Sequence, residues 1–248
     1  LTLDFHSQAL KMNTNIAMLL PDASKRAARK FSDYRILYLL HGLSDDYTSW
    51  LRHTRVEDYA TSYQTVVIMP SGGRSMYCDN VGQNYLTYLT HELPEYIQWF
   101  TAISMVRKNT YIAGNSMGGY GAARAALSHP QSYRGFASFS GLLDFAPFLT
   151  MITPELENDF IFMRDVIDHP ETSVLNPINL LTAPSENEVE MYLSCGTTDS
   201  LLGCTQNFKQ KADALGLSAT CVLEPGCHDW GFWDQQLEKY LRSLHERD

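Results

Sequence analysis

The 248-residue chain has no apolar run approaching the ~20 residues that span a bilayer. Its opening, LTLDFHSQAL, lacks the basic region and long apolar stretch of a secretory leader. A membrane-spanning role is excluded from the expectations, and the cytoplasm is the expected compartment. Cysteine is scarce. The five residues 78, 195, 204, 221 and 227 are odd in number and show no C-x-x-C spacing. Around Cys195 and Cys221 the sequence is apolar, where a free thiol packs as a small hydrophobe; a Cys195–Cys204 or Cys221–Cys227 bridge is the less favoured reading. Positive charge is in deficit, with 19 Lys+Arg against 28 Asp+Glu and a net charge of −9, a field that repels a phosphate backbone and excludes nucleic acid as a partner. Repeats, low-complexity tracts and Pro/Gly/Ser-rich linkers are missing too, so one α/β domain over 1–248 is expected.

What is present is core-forming material: 44% hydrophobic and 12% aromatic residues, enough to rule out a disordered chain. Residues 1–10 and 13–20 read as two strands joined near Lys11 and Met12, an antiparallel hairpin at a sheet edge. The charged, Ala-rich stretch 22–30 reads as an exposed loop or short helix. Continuous apolar runs follow at 35–40, 65–69, 110–113, 135–140, 189–194 and 219–223. Unbroken apolar character suits parallel strands covered on both faces. Helical stretches at 54–63, 85–100, 117–127, 205–215 and 233–244 alternate with them, and the βαβα order implies a mostly parallel sheet with right-handed crossovers. Residues 142–184 break the alternation. Long, rich in Pro, Asp and Phe and placed after a strand end, they read as a partly helical lid over a substrate.

The strongest local signal is Gly114-Asn115-Ser116-Met117-Gly118, a G-x-S-x-G between an apolar strand and an Ala-rich helix. A serine on so sharp a turn crowds its neighbours two positions away, and glycine there relieves the crowding. The turn presents the hydroxyl over a helix N-terminus that favours developing negative charge. An N-cap serine in a Gly-rich loop is the alternative, and the flanking strand and helix argue against it. In the α/β-hydrolase fold that this motif signals, an acid and then a histidine follow the serine along the chain. His228, after the strand 219–223 and a Pro-Gly turn, fits the base. Asp199, after the strand 189–194, fits the carboxylate that orients it; Asp144 is the nearest rival, and Asp229 is poorly placed to reach the ring. The run into His41-Gly42-Leu43 stands where this fold supplies an oxyanion donor, so the backbone amides of Leu43 and Met117 are the expected pair. His41 reads as a brace for its loop. Trp50, Trp230 and Met117 are candidates for contact with substrate.

Taken together, YLLHGLSDDYTSWLRHT (38–54), IAGNSMGGYGAARAAL (112–127), FASFSGLL (136–143), CGTTDSLL (195–202) and GCHDWGFWDQQLEKYL (226–241) resemble the esterase D family, its bacterial tributyrin-esterase branch in particular. The resemblance runs over nearly the whole length; Asn115, where close relatives often carry Leu, departs from it, and 142–184 aligns least well. It implies hydrolysis of short-chain acyl esters by Ser116, His228 and Asp199 with no metal and no cofactor, a small-molecule ester as partner, and leaves a homo-oligomer open. An S-formylglutathione hydrolase-like thioesterase, an acetyl or feruloyl esterase on carbohydrate esters, and an acyltransferase to sugars use the same parts.

Overall fold

The apolar runs form strands because both of their faces are covered. Ile36, Tyr38 and Leu40 of the strand Arg35–Leu40 enter one hydrophobic cluster, while Leu37 and Leu39 enter a second on the opposite side. All six residues are buried, so neither face calls for the polar alternation of a half-exposed strand. The structure is a computed structural model that describes residues 1–21, 34–101, 103–153, 160–184 and 188–247. The stretch 22–30, expected to be a loop or short helix, lies outside the described residues.

The strands are β1 (Thr2–Ser7), β2 (Met12–Leu19), β3 (Arg35–Leu40), β4 (Thr65–Pro70), β5 (Asp79–Asn80), β6 (Gln83–Asn84), β7 (Thr110–Asn115), β8 (Gly135–Phe139), β9 (Glu190–Gly196) and β10 (Ala219–Glu224). Eight of them make one sheet in the order β1-β2-β4-β3-β7-β8-β9-β10, and β5 and β6 form a separate pair. From β4 to β10 the pairing in the large sheet is parallel; β1 and β2 pair antiparallel, and β2 joins β4 antiparallel. The hairpin expected at the edge is therefore there, and its turn, residues 8–11, ends on Lys11 at φ 56°. Strand β1 stops at Ser7 because the Glu92 carboxylate captures the Ser7 hydroxyl and the Gln8 and Ala9 amides, which would otherwise continue the ladder.

Helices cover both faces. The second cluster is closed by Trp50, Val56, Tyr59, Phe232, Trp233 and Leu237, from helices Ser49–His53, Val56–Ser62 and Trp230–His245. The helix expected at 54–63 runs Val56–Ser62, and a short helix the sequence did not signal, Ser49–His53, precedes it; between them Thr54 is extended, and its hydroxyl donates to Trp50 O and accepts from the Val56 amide. The helix expected at 85–100 contains a π-turn at Tyr88–Glu92. The last helix starts three residues before the expected 233, capped by Asp229, whose carboxylate accepts from Phe232 N at 2.9 Å. Among the described residues no helix is long and apolar enough to cross a membrane. The five cysteines are free thiols, so neither conceivable bridge forms.

Segment 142–184 is partly helical, with Phe145–Leu149, Arg164–Asp168 and the 3-10 turns Ile161–Met163 and Pro177–Leu180. It is tied down at both ends. Asp144 caps the first helix and accepts from Asn176 Nδ2 at 3.2 Å and Asn207 Nδ2 at 2.8 Å. Ile178 N donates to Leu143 O at 3.1 Å, and Tyr120, on the helix Met117–Ser128, donates its hydroxyl to Leu175 O at 2.8 Å.

Candidate active site

Strand β7 ends at Asn115 and the helix Met117–Ser128 begins one residue later. Ser116 makes that reversal alone, at φ 51° and ψ −118°. A non-glycine residue in such a region stores on the order of 1–3 kcal/mol of strain. The surroundings hold it there: Ser116 N donates to Phe139 O at 2.9 Å and Tyr120 N to Ser116 O at 3.1 Å. The flanking glycines make the turn sterically feasible, since a Cβ on Gly118 would lie 2.3 Å from Leu40 O and one on Gly114 2.5 Å from the Gly118 carbonyl carbon. Backbone atoms cannot swing aside. Gly118→Ala is therefore expected to lower stability by about 2–3 kcal/mol in urea unfolding, whereas Gly203→Ala, whose Cβ would meet Pro147 at an ordinary 3.5 Å, should be neutral. Equal midpoints for the two variants would contradict this account.

The serine hydroxyl meets a histidine 112 residues further on. Ser116 Oγ lies 2.9 Å from His228 Nε2, and His228 Nδ1 lies 3.0 and 3.1 Å from the two oxygens of Asp199. Two loops at the C-terminal ends of β9 and β10 bring the last pair together. Thr197 N donates to Glu224 O and Thr198 N to Gly226 O, and Gly196 packs so tightly on Gly226 that a Cβ would sit 2.3 Å from its carbonyl oxygen. Since a carboxylate only accepts, Nδ1 carries the ring proton and Nε2 is left to take the serine proton. The Asp199 side chain has no solvent exposure. Burial pushes its carboxyl up, but hydrogen bonds from His228 and the Leu201 amide outweigh that and hold it below the usual carboxylate range.

The rival acids are occupied elsewhere. Asp144 anchors segment 142–184, and Asp229 caps the last helix and accepts the Cys227 thiol at 2.7 Å. His41 braces its loop: Nδ1 donates to Gly42 O at 2.7 Å and Nε2 accepts from Gly72 N at 2.8 Å. Burial lowers its pKa, consistent with a neutral ring filling both contacts. The turn it supports passes close to the serine, the Cβ position of Gly42 being 3.6 Å from Ser116 Cβ. Leu43 follows in that turn and Met117 opens the helix, where the first amides have no partner within the helix.

A cavity of about 190 Å³ opens over these groups, lined by Ser116, His228, Leu43 and Met117 and walled by Met76, Leu142, Phe148, Phe160 and Leu201. The expectation of substrate contact at Trp50 and Trp230 needs correcting, since neither is among the described residues that line it. Trp50 is 1% exposed and spends its indole N–H on Leu40 O at 2.9 Å, which makes it core beneath the loop rather than a wall above it. Trp230 is half-buried between His53, stacked at 4.9 Å, and the edges of Trp50 and Trp233. The wall residues that sequence reasoning missed had a signal: Leu201 stands two positions after Asp199, and Phe148 and Phe160 belong to the Phe-bearing segment 142–184.

Comparison with known proteins identifies the family. The family model Esterase, described as "Putative esterase", matches residues 7–244. The chain is similar to an acetyl esterase from Caldicellulosiruptor saccharolyticus, 28% identical over 98% of this chain and 96% of that protein. It is also similar to the diacylglycerol acyltransferase/mycolyltransferase Ag85A of Mycobacterium leprae, 36% identical over 85% of this chain and 74% of that protein. Among solved structures it resembles FphF, a fluorophosphonate-binding serine hydrolase of Staphylococcus aureus, with a TM-score of 0.86, 25% identity and coverage of 99% and 97% of the two chains.

Proposed function

The chain belongs to the Esterase family and has its α/β-hydrolase fold, and from that premise we propose that this carboxylic ester hydrolase cleaves short-chain acyl esters through an acyl-enzyme on Ser116. The observation that carries the reading is the continuous contact Ser116–His228–Asp199, at 2.9 and 3.0 Å. In the first step His228 Nε2 accepts the hydroxyl proton as Ser116 Oγ attacks the ester carbonyl. The negative oxygen that develops is met by the Leu43 and Met117 amides. His228 then passes the proton to the departing alcohol. Water, deprotonated by the same ring, releases the acid and restores the serine. Asp199 stays ionised and stabilises the imidazolium between the two transfers.

The size of the cavity supports the short acyl group. About 190 Å³ lies below the ~300–1,000 Å³ of drug-sized ligand sites, which suits a butyryl chain better than a palmitoyl one. p-Nitrophenyl acetate or butyrate should turn over about 100-fold faster than the palmitate ester, whose chain would have to displace the walls to be enclosed, an overpacking cost of about 1–3 kcal/mol. Equal rates along the series would overturn the short-acyl assignment.

The likeness to the M. leprae acyltransferase favours one second reading, transfer of the acyl group to an alcohol. Here the His228 side chain is 34% exposed, which favours water as the acceptor. Running the assay with acetylated sugars, feruloyl esters and S-formylglutathione, with and without an added acceptor alcohol, and measuring free acid against new ester separates these outcomes.

A further inference from the structure

Trp233 touches two parts of the site at once. Its ring meets the His228 imidazole edge-on, with centroids 4.9 Å apart at 88°. Its indole Nε1 donates to Ser140 Oγ at 3.1 Å. Ser140 follows β8, is fully buried, and donates its amide to Ser194 O at 2.7 Å. It also holds φ at 52°, where a side chain is strained and glycine is at home. A serine retained in such a conformation deep in the protein suggests that its side chain is needed there.

A hydroxyl has one proton to give and can accept at two lone pairs. With the indole N–H filling a lone pair, the Ser140 proton is turned toward an acceptor. The Asp199 carboxylate and the Cys195 thiol are the two titratable groups that it bears on. The charged carboxylate is much the stronger acceptor. Among the described residues, the Asp199 oxygens otherwise receive Leu201 N, at 2.8 Å, and the His228 ring.

We propose that Trp233 and Ser140 are a positioning pair for the reaction: the Ser140 hydroxyl, oriented by the indole N–H, donates to Asp199, and the same indole ring holds the His228 imidazole edge-on. This rests on the assignment of Ser116, His228 and Asp199 as the reacting groups. The other titratable groups that bear on the His228–Asp199 pair are the Cys195, Cys204 and Cys227 thiols and the Asp229 carboxylate, and the variants below change none of them.

The test uses kcat, KM, melting temperature and the pH profile of kcat/KM on p-nitrophenyl acetate. A carboxylate deprived of a donor pulls harder on the imidazolium, so the acid limb of the profile should move to higher pH. For Ser140→Ala we expect kcat to fall about tenfold at nearly constant KM and the limb to rise by about half a pH unit. Ser140→Gly should reproduce the limb shift with a melting temperature at or above that of the parent protein, which separates the hydroxyl from the backbone. Trp233→Phe should move the limb the same way, and should add nothing to the limb shift of Ser140→Gly, because both act through one hydroxyl. A stationary or downward limb in folded Ser140→Gly, or limb shifts that simply add, would overturn the proposal. Retained turnover in Ser116→Ala is a different result, and would sink the assignment of the reacting groups instead.

Discussion

Ser116→Ala is expected to lower kcat on p-nitrophenyl acetate by a factor on the order of 10⁴ to 10⁶ and to abolish labelling by a fluorophosphonate probe. The magnitude follows from what the methyl group cannot do. No other hydroxyl is described within hydrogen-bonding reach of His228 Nε2, so the covalent route closes, leaving only the contributions of substrate binding and the amides of Leu43 and Met117. Alanine keeps the Cβ and removes only an outward-facing oxygen, so the urea midpoint should stay near that of the parent protein. A loss of less than about tenfold, or labelling that survives the substitution, would remove Ser116 from the mechanism.

Asp199→Asn should reduce kcat by about 10³ to 10⁴ at neutral pH, and Asp144→Asn should not. The amide of the first variant can donate to Nδ1, which places the ring proton on Nε2, where it blocks acceptance from the serine. Asp144 faces Asn176, Asn207 and the Ala146 amide, so its substitution should loosen segment 142–184 and leave the proton route alone. The Asp199 carboxyl is held below its ordinary range despite burial. The sign is that of a depressed carboxylate: its contribution to stability is complete above the unfolded value and is lost as pH falls through the lowered one. Comparable kcat losses in the two variants would mean that the wrong carboxylate has been assigned.

The parallel strands were legible in the sequence because burial on both faces writes itself as an unbroken apolar run; 35–40 matches the strand Arg35–Leu40 at both ends. The local signals for Ser116, His228 and Asp199 were also legible, because each comes shortly after the end of β7, β10 or β9 and the sheet carries those ends to one edge. Short and irregular helices were not. The five residues Ser49–His53 are too few to show a periodic pattern, and the π-turn at Tyr88–Glu92 lies within residues that would suit an ordinary helix. Trp50 was misjudged for a related reason. An aromatic residue eight positions after Gly42 could face either the cavity or the sheet, and only the bond to Leu40 O decides between them. The true wall is assembled from Met76, Leu142, Phe148, Phe160 and Leu201, which share no spacing along the chain.

That division of labour has an evolutionary corollary. Two of the five apolar wall residues, Phe148 and Phe160, lie on a stretch whose ends are clamped to the framework by Asp144, Asn176 and Asn207, while Ser116, Asp199 and His228 follow β7, β9 and β10. Sequence between the clamps is free to drift, or to be exchanged as a cassette, without disturbing the proton path. New acyl preferences can thus be sampled by a lineage that never passes through an inactive ancestor.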